Sequence, residues 1–123
     1  MLAQLKDYLK TLSLADHYYI GKIDNAQLKV LGVYSDGGVR VEAIGKNSSY
    51  EATDFRLLLH WNRNAKESEV QANTLYDTIR YIHEVTMTDI YVAFIDLEKP
   101  IFVGTDDNNV YEYVINGTLY YGR

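Results

Sequence analysis

Phe55-Arg56-Leu57-Leu58-Leu59-His60-Trp61 sets four large apolar side chains, Phe55, Leu57, Leu59 and Trp61, at every second position near the middle of the chain. Alternation of that kind belongs to an extended strand with one buried face, so the fold must contain a sheet with this segment as a central strand. The flanking segments are read by the same rule. His17–Ile23 and Leu28–Tyr34 are rich in Tyr, Ile and Val. Asp24-Asn25 between them and Ser35-Asp36-Gly37-Gly38 after them are turn formers, which predicts two strands. Val39–Ile44 alternates apolar and charged residues and predicts a third strand with one wet face, followed by a polar loop over Gly45–Asp54.

Two stretches have a helical period instead. Leu2, Leu5, Leu9 and Leu12 predict a short amphipathic helix over residues 2–12. Ala72, Leu75, Tyr76, Ile79 and Ile82 predict a longer one reaching about Glu84. Ser68-Glu69-Val70-Gln71 has the capping-box spacing at its start, and Glu67 and Glu69 lie near its positive end. Beyond it, Ile90–Ile95 is apolar on both parities, as in a strand buried on both faces, and Glu98-Lys99-Pro100 ends it. Ile101–Gly104 and Val110–Ile115 flank the turn residues Thr105–Asn109 and predict a hairpin, with a further tight turn at Asn116-Gly117. The order predicts a single α+β domain over residues 1–123, a mainly antiparallel sheet with a short N-terminal helix and one longer helix packed on one face.

A chain of 123 residues hides roughly two-thirds of its extended surface on folding. It therefore builds a core without staples, and with no cysteine it has no disulfide, thiolate nucleophile or Cys-based metal site. Seventeen acidic residues against twelve basic ones give a formal charge of −5, which opposes a nucleic-acid partner. The longest apolar run falls well short of the ~18 residues of a membrane span, and no signal peptide is visible, so no membrane partner is expected. Aromatic residues are abundant, and 12 of them are Tyr, a side chain suited to wet contact surfaces.

Catalytic and cofactor patterns are not found. His60 and His83 lack the spacing of a metal pair and read as a strand-face residue and a solvent-side residue of the last helical turn; His17 offers no partner. Asp106-Asp107-Asn108-Asn109 fails the calcium-loop pattern, because Val110 and Tyr111 stand where Asp or Asn and then Gly are needed, and it reads as a turn. No serine lies in a nucleophile elbow, no glycine pattern forms a phosphate loop, and the triplets at Asn47 and Asn116 carry no weight as glycosylation sites. The chain is expected to be no enzyme and to hold no cofactor. The alternative is a small-molecule-binding or cavity-enzyme α+β domain, with Asp96 at the end of the apolar strand as its acid.

The arrangement as a whole carries a resemblance. Ala43-Ile44-Gly45-Lys46 leads through Tyr50-Glu51 into Leu57–Trp61, then Glu67-Ser68-Glu69 and the helix through Ala72, Leu75 and Tyr76. Pro100–Asp106 and Val110–Asn116 follow as a closing hairpin. From the first strand onward this resembles the small minor capsid proteins of tailed bacteriophages and prophages, a family similar to tail terminator proteins. The resemblance implies an α+β fold and a structural virion protein made in the bacterial host cytoplasm. It implies a ring of about six copies on the last ring of the tail tube, with the tail tube protein and the head connector or neck proteins as partners at the head–tail junction. Arg63, before the longer helix, and Tyr111 and Tyr113, on one strand face, are the nominated interface residues.

Overall fold

The computed structural model of the protein describes residues 2–41 and 51–122. Helix α1 (Leu2–Thr11) leads into β1 (His17–Ile20), β2 (Val30–Val41) and β3 (Glu51–His60). Helix α2 (Ala65–Ile79) comes next, then β4 (His83–Met87), β5 (Ile90–Leu97), β6 (Ile101–Thr105) and β7 (Tyr111–Gly122). The strands form one sheet in the order β1-β2-β3-β7-β5-β4, with β6 also on β7. Strand β7 is paired along its full length on one edge by β3; its other edge is shared, β6 taking Tyr111–Val114 and β5 taking Gly117–Gly122. Glu98-Lys99-Pro100 is the joint between those two neighbours, and the Glu98 amide donates to the Asn116 carbonyl across it.

The expected α+β domain with a mainly antiparallel sheet is corrected: the fold is mostly sheet, and the sheet is mixed and curled into a half-barrel. Strand β1 runs parallel to β2, with His17 opposite Val30 and Ile20 opposite Val33. Parallel neighbours ordinarily need a long crossover. Four residues of β1 cover only about 13 Å, so the short segment 21–29 can return the chain to the same end. Helix α1 touches β1, β2 and β4, strands at opposite ends of the sheet order, which is possible only because the sheet bends around it.

One core lies between the concave face and the helices. Leu5 and Leu9 of α1 and Ala72, Leu75 and Ile79 of α2 meet Leu31, Val33, Phe55, Leu57, Leu59, Val92, Ile95, Ile115 and Leu119. The Gln71 side-chain amide also donates to the Leu14 carbonyl, tying α2 to the chain leaving α1. Among the described residues, no helix is long and apolar enough to cross a membrane.

Phe55–Trp61 is the central strand that its alternation predicts, with Phe55, Leu57, Leu59 and Trp61 all buried. Several neighbouring expectations are overturned. Glu51–Asp54 is strand and not loop, because both β2 and β7 are there to pair it, while 45–50 lie outside the described residues. Ser35–Gly38 does not end a strand: β2 continues through it with a register shift before Val39. Residues 42–44 again lie outside the described residues.

The N-cap of helix α2 lies four residues before the expected cap at Ser68. Asn64 is the N-cap and its side chain accepts from the Glu67 amide, whereas Ser68 is buried and donates its hydroxyl to Asn62 Oδ1. The helix stops at Ile79, since Val85 and Thr86 find a strand partner in β5, and His83 therefore begins a strand. Asn116-Gly117 is strand interior. A Cβ on Gly117 would sit 2.7 Å from Phe55 Cζ and 2.8 Å from Leu97 Cδ1, so this glycine serves close packing, not a turn.

Strand β5 is not buried on both faces. Its pairing with β7 slips one residue at Ala93, so Ile90 and Val92 face the core before the slip and Ile95 and Leu97 after it. That change of parity is why the run looks apolar on both sides. Tyr91 and Phe94 face out, as does Asp96, which is exposed. The case for a buried acid in an apolar cavity falls with it.

Candidate interaction surface

The convex face of the sheet carries a ladder of register-matched polar pairs between β3 and β7. Thr118 Oγ1 donates to Asp54 Oδ1 at 2.7 Å, Arg56 Nε donates to Asn116 Oδ1 at 3.0 Å, and His60 Nδ1 lies 2.8 Å from Glu112 Oε2. Each pair is one of the cross-strand partnerships of the ladder, with Leu58 and Val114 interposed as its apolar rung. His60 reads as a strand-face residue in the sequence, and so it is, but its ring has no exposed surface. A carboxylate only accepts, so Nδ1 carries the hydrogen toward Glu112. Nε2 is left without a hydrogen-bond partner, 3.7 Å from Asp106 Oδ2.

Asp106 organises the turn between β6 and β7. Its Oδ1 accepts from the amides of Asn108 and Val110, and Asn109 takes a left-handed conformation with φ 65°. The turn reading of Asp106–Asn109 holds on both counts. Burial acts to raise the Asp106 carboxyl. The Val110 and Asn108 amides, with the His60 and Arg63 charges, outweigh it and hold the group below the usual carboxylate range. Arg63 Nε donates to the Asn108 carbonyl at 2.9 Å. The neighbouring turn is built by Asn62, whose Oδ1 accepts from the Asn64 amide and whose Nδ2 donates to Glu67.

Tyr111 and Tyr113 sit half-buried on the concave face of β7, beside the first turns of α2. Phe102 of β6 packs against both rings, stacked on Tyr111 with centroids 5.8 Å apart and tilted against Tyr113 at 5.3 Å. The three rings, with Ala65, Lys66 and Glu69 of α2, line an open depression of about 430 Å³. Burial pushes the Tyr113 phenol above its ordinary value, reinforced by the Glu69 carboxylate and by Tyr111. A second depression continues along the same side of α2, lined by Asn73, Tyr76, Asp77, Arg80, Lys99 and Pro100.

The three nominated residues thus lie in one region, Arg63 in the loop before α2 bonding to Asn108 of the turn that precedes Tyr111 and Tyr113. Sequence reasoning missed Phe102 and its neighbours. Ile101, Phe102 and Val103 are each about half exposed, at 51%, 51% and 52%. The signal for them was present: a strand-length run without one charged residue, bounded by Pro100 on one side and Asp106 on the other. On the convex face the exposed Phe94 stacks on Tyr120 at 4.4 Å, a contact made by the slip in β5 and so invisible to a period-two reading.

The arrangement offers contact surfaces. His83 is exposed, its Nδ1 2.9 Å from the Tyr81 carbonyl, and is remote from the cluster around His60. A comparison with protein families matches residues 2–121 to a model described as bacteriophage tail terminator protein. No curated protein matches the chain.

Proposed function

The chain belongs to the bacteriophage tail terminator family, a structural family of virion components, and on that premise we propose that it is a ring-forming subunit at the head–tail junction. About six copies close into a ring on the last ring of the tail tube, and the opposite surface of that ring receives the connector or neck proteins. Synthesis takes place in the bacterial host cytoplasm before assembly. The observation that carries this reading is the family match over nearly the whole chain.

Supporting it, three consecutive apolar side chains of β6, Ile101, Phe102 and Val103, are each about half exposed beside Tyr111 and Tyr113. Surfaces of this kind mark association sites. Arg63, Tyr111 and Tyr113, with Phe102, are the contact residues of that surface.

The test is absolute mass by light scattering over a wide concentration range, alone and with purified tail tubes of the same phage. Closed rings in solution, or capture on tube ends with tubes stopped at a defined length, is the expected result. Tubes that neither bind the protein nor stop in its presence would refute the proposal.

A further inference from the structure

Among the described residues, strands β1 and β6 are free edges toward opposite ends of one sheet, β1 paired only with β2 and β6 only with β7. Neither strand contains Lys, Arg, Asp or Glu, and each exposes apolar surface: Ile20 on β1 is 42% exposed, and Ile101, Phe102 and Val103 on β6 are about half exposed. Unguarded edges of this kind are templates for another strand. Strand β4, the remaining free edge among the described residues, is guarded. Glu84 interrupts it with a left-handed backbone at φ 51° and an exposed carboxylate.

Strand directions decide how two copies can meet. β1 is parallel to β2, and three antiparallel steps, β2 to β3, β3 to β7 and β7 to β6, leave β6 antiparallel to β1. A neighbouring copy rotated about an axis along the strands keeps its strand direction. Its β1 then lies antiparallel to this copy's β6, the more stable pairing. We propose that β6 of each copy takes β1 of the next as an added strand, so that the ring is joined edge to edge through its sheets. The inference rests on the ring of the proposed function and names its interface.

Length agrees with this occupant, and each end of the contact offers the approaching charge at least one opposite partner. β1 has four residues and β6 five, with a register step at Val103, so a short ladder is all that either offers. Antiparallel pairing carries Asp16, just before β1, toward the end of β6 where Lys66 and Arg63 stand. It carries Lys22, just after β1, toward the end where Glu98 and Asp77 accompany Lys99 and Arg80. Asp106 and the exposed Asp107 stand at the same end of β6 as Arg63 and Lys66, Asp106 already engaged by two amides and facing His60. Because the two edges differ, the contact is heterologous and repeats from copy to copy instead of stopping at a pair.

The chain has no cysteine, so engineered thiols report this contact without background. Ile20→Cys is combined in turn with Ile101→Cys, Phe102→Cys and Val103→Cys, and each double variant is oxidised and run without reductant. At least one pairing should give a covalent ladder beyond dimer, while each single variant gives nothing larger than dimer. In parallel, Val103→Lys should abolish the multimer seen by light scattering with its circular dichroism unchanged, and Thr86→Lys on β4 should leave it intact. Rings that form in wild type, yield no ladder from any pairing and survive Val103→Lys would overturn the edge contact and leave the ring standing. Absence of rings from wild type, both alone and on tail tubes, would overturn both.

Discussion

His60 and Glu112 face each other across the β3–β7 ladder at 2.8 Å, the histidine with no exposed surface and the glutamate half-buried near the start of β7. A buried donor deprived of its partner costs its full desolvation, so Glu112→Ala should destabilise the fold by about 1–3 kcal/mol, whereas Glu112→Gln, which still accepts, should cost less. Denaturant unfolding of both variants and of His60→Ala, analysed as a double-mutant cycle, measures the coupling. Equal losses for Glu112→Ala and Glu112→Gln would show that the hydrogen bond contributes nothing.

Gly117→Ala is expected to be among the most damaging single methyl additions in the chain. The new Cβ would meet Phe55 Cζ at 2.7 Å, Leu97 Cδ1 at 2.8 Å and the Asp96 carbonyl oxygen at 3.1 Å, where three strands converge. Overpacking of this kind costs about 1–3 kcal/mol. A thermal midpoint no lower than wild type would mean that β5 can move away from β7 freely.

Asn64→Ala removes the acceptor for the Glu67 amide and should cost about 1 kcal/mol, the ordinary loss of an N-cap. Ser68→Ala tests the other reading of the same helix start. If Ser68 were the cap, its replacement would fray the first turn and reduce helical ellipticity, whereas loss of its bond to Asn62 leaves the helix start in place.

Acid sensitivity follows from Asp106. Its carboxyl is held below its ordinary value in the fold, so its contribution is fully present above the unfolded value of about 3.9 and is lost as pH falls through the lower folded value. The wild type minus Asp106→Asn stability difference should therefore be constant above about pH 5 and shrink below about pH 4. A difference independent of pH down to acid unfolding would remove the carboxylate charge from the account.

Asp96→Asn should change stability by no more than about 0.5 kcal/mol, as expected for an exposed side chain on the convex face of β5. A larger effect in unfolding experiments would mean that Asp96 is sequestered after all.

The local patterns had strong physical causes and were legible. Helix α1 follows from its leucine spacing, β3 from the alternation through Trp61, and the β6–β7 hairpin from Asp106–Asn109, whose side chain and backbone close the turn locally. Nominating Arg63, Tyr111 and Tyr113 also pointed to one region of the molecule, since the loop before α2 and the start of β7 are joined by the Arg63–Asn108 bond. Phe102 was passed over because the uncharged run 101–105 marks a strand without marking its exposure, which depends on which neighbours the strand lacks.

Amphipathic period, turn chemistry and composition, all local properties of the backbone and its side chains, determined that this chain folds as sheet and helix around one strand, without thiol chemistry. Tertiary structure decided the rest, because pairing is settled between distant segments. It made β1 parallel, drew 51–54 and 83–87 into strands and moved the helix cap from Ser68 to Asn64. It slipped β5 by one residue at Ala93, turning an apparently two-sided strand into a one-sided one. Among the described residues it also left β1 and β6 each paired on one edge alone, and a free hydrogen-bonding edge is a property of the assembled sheet that no single segment possesses.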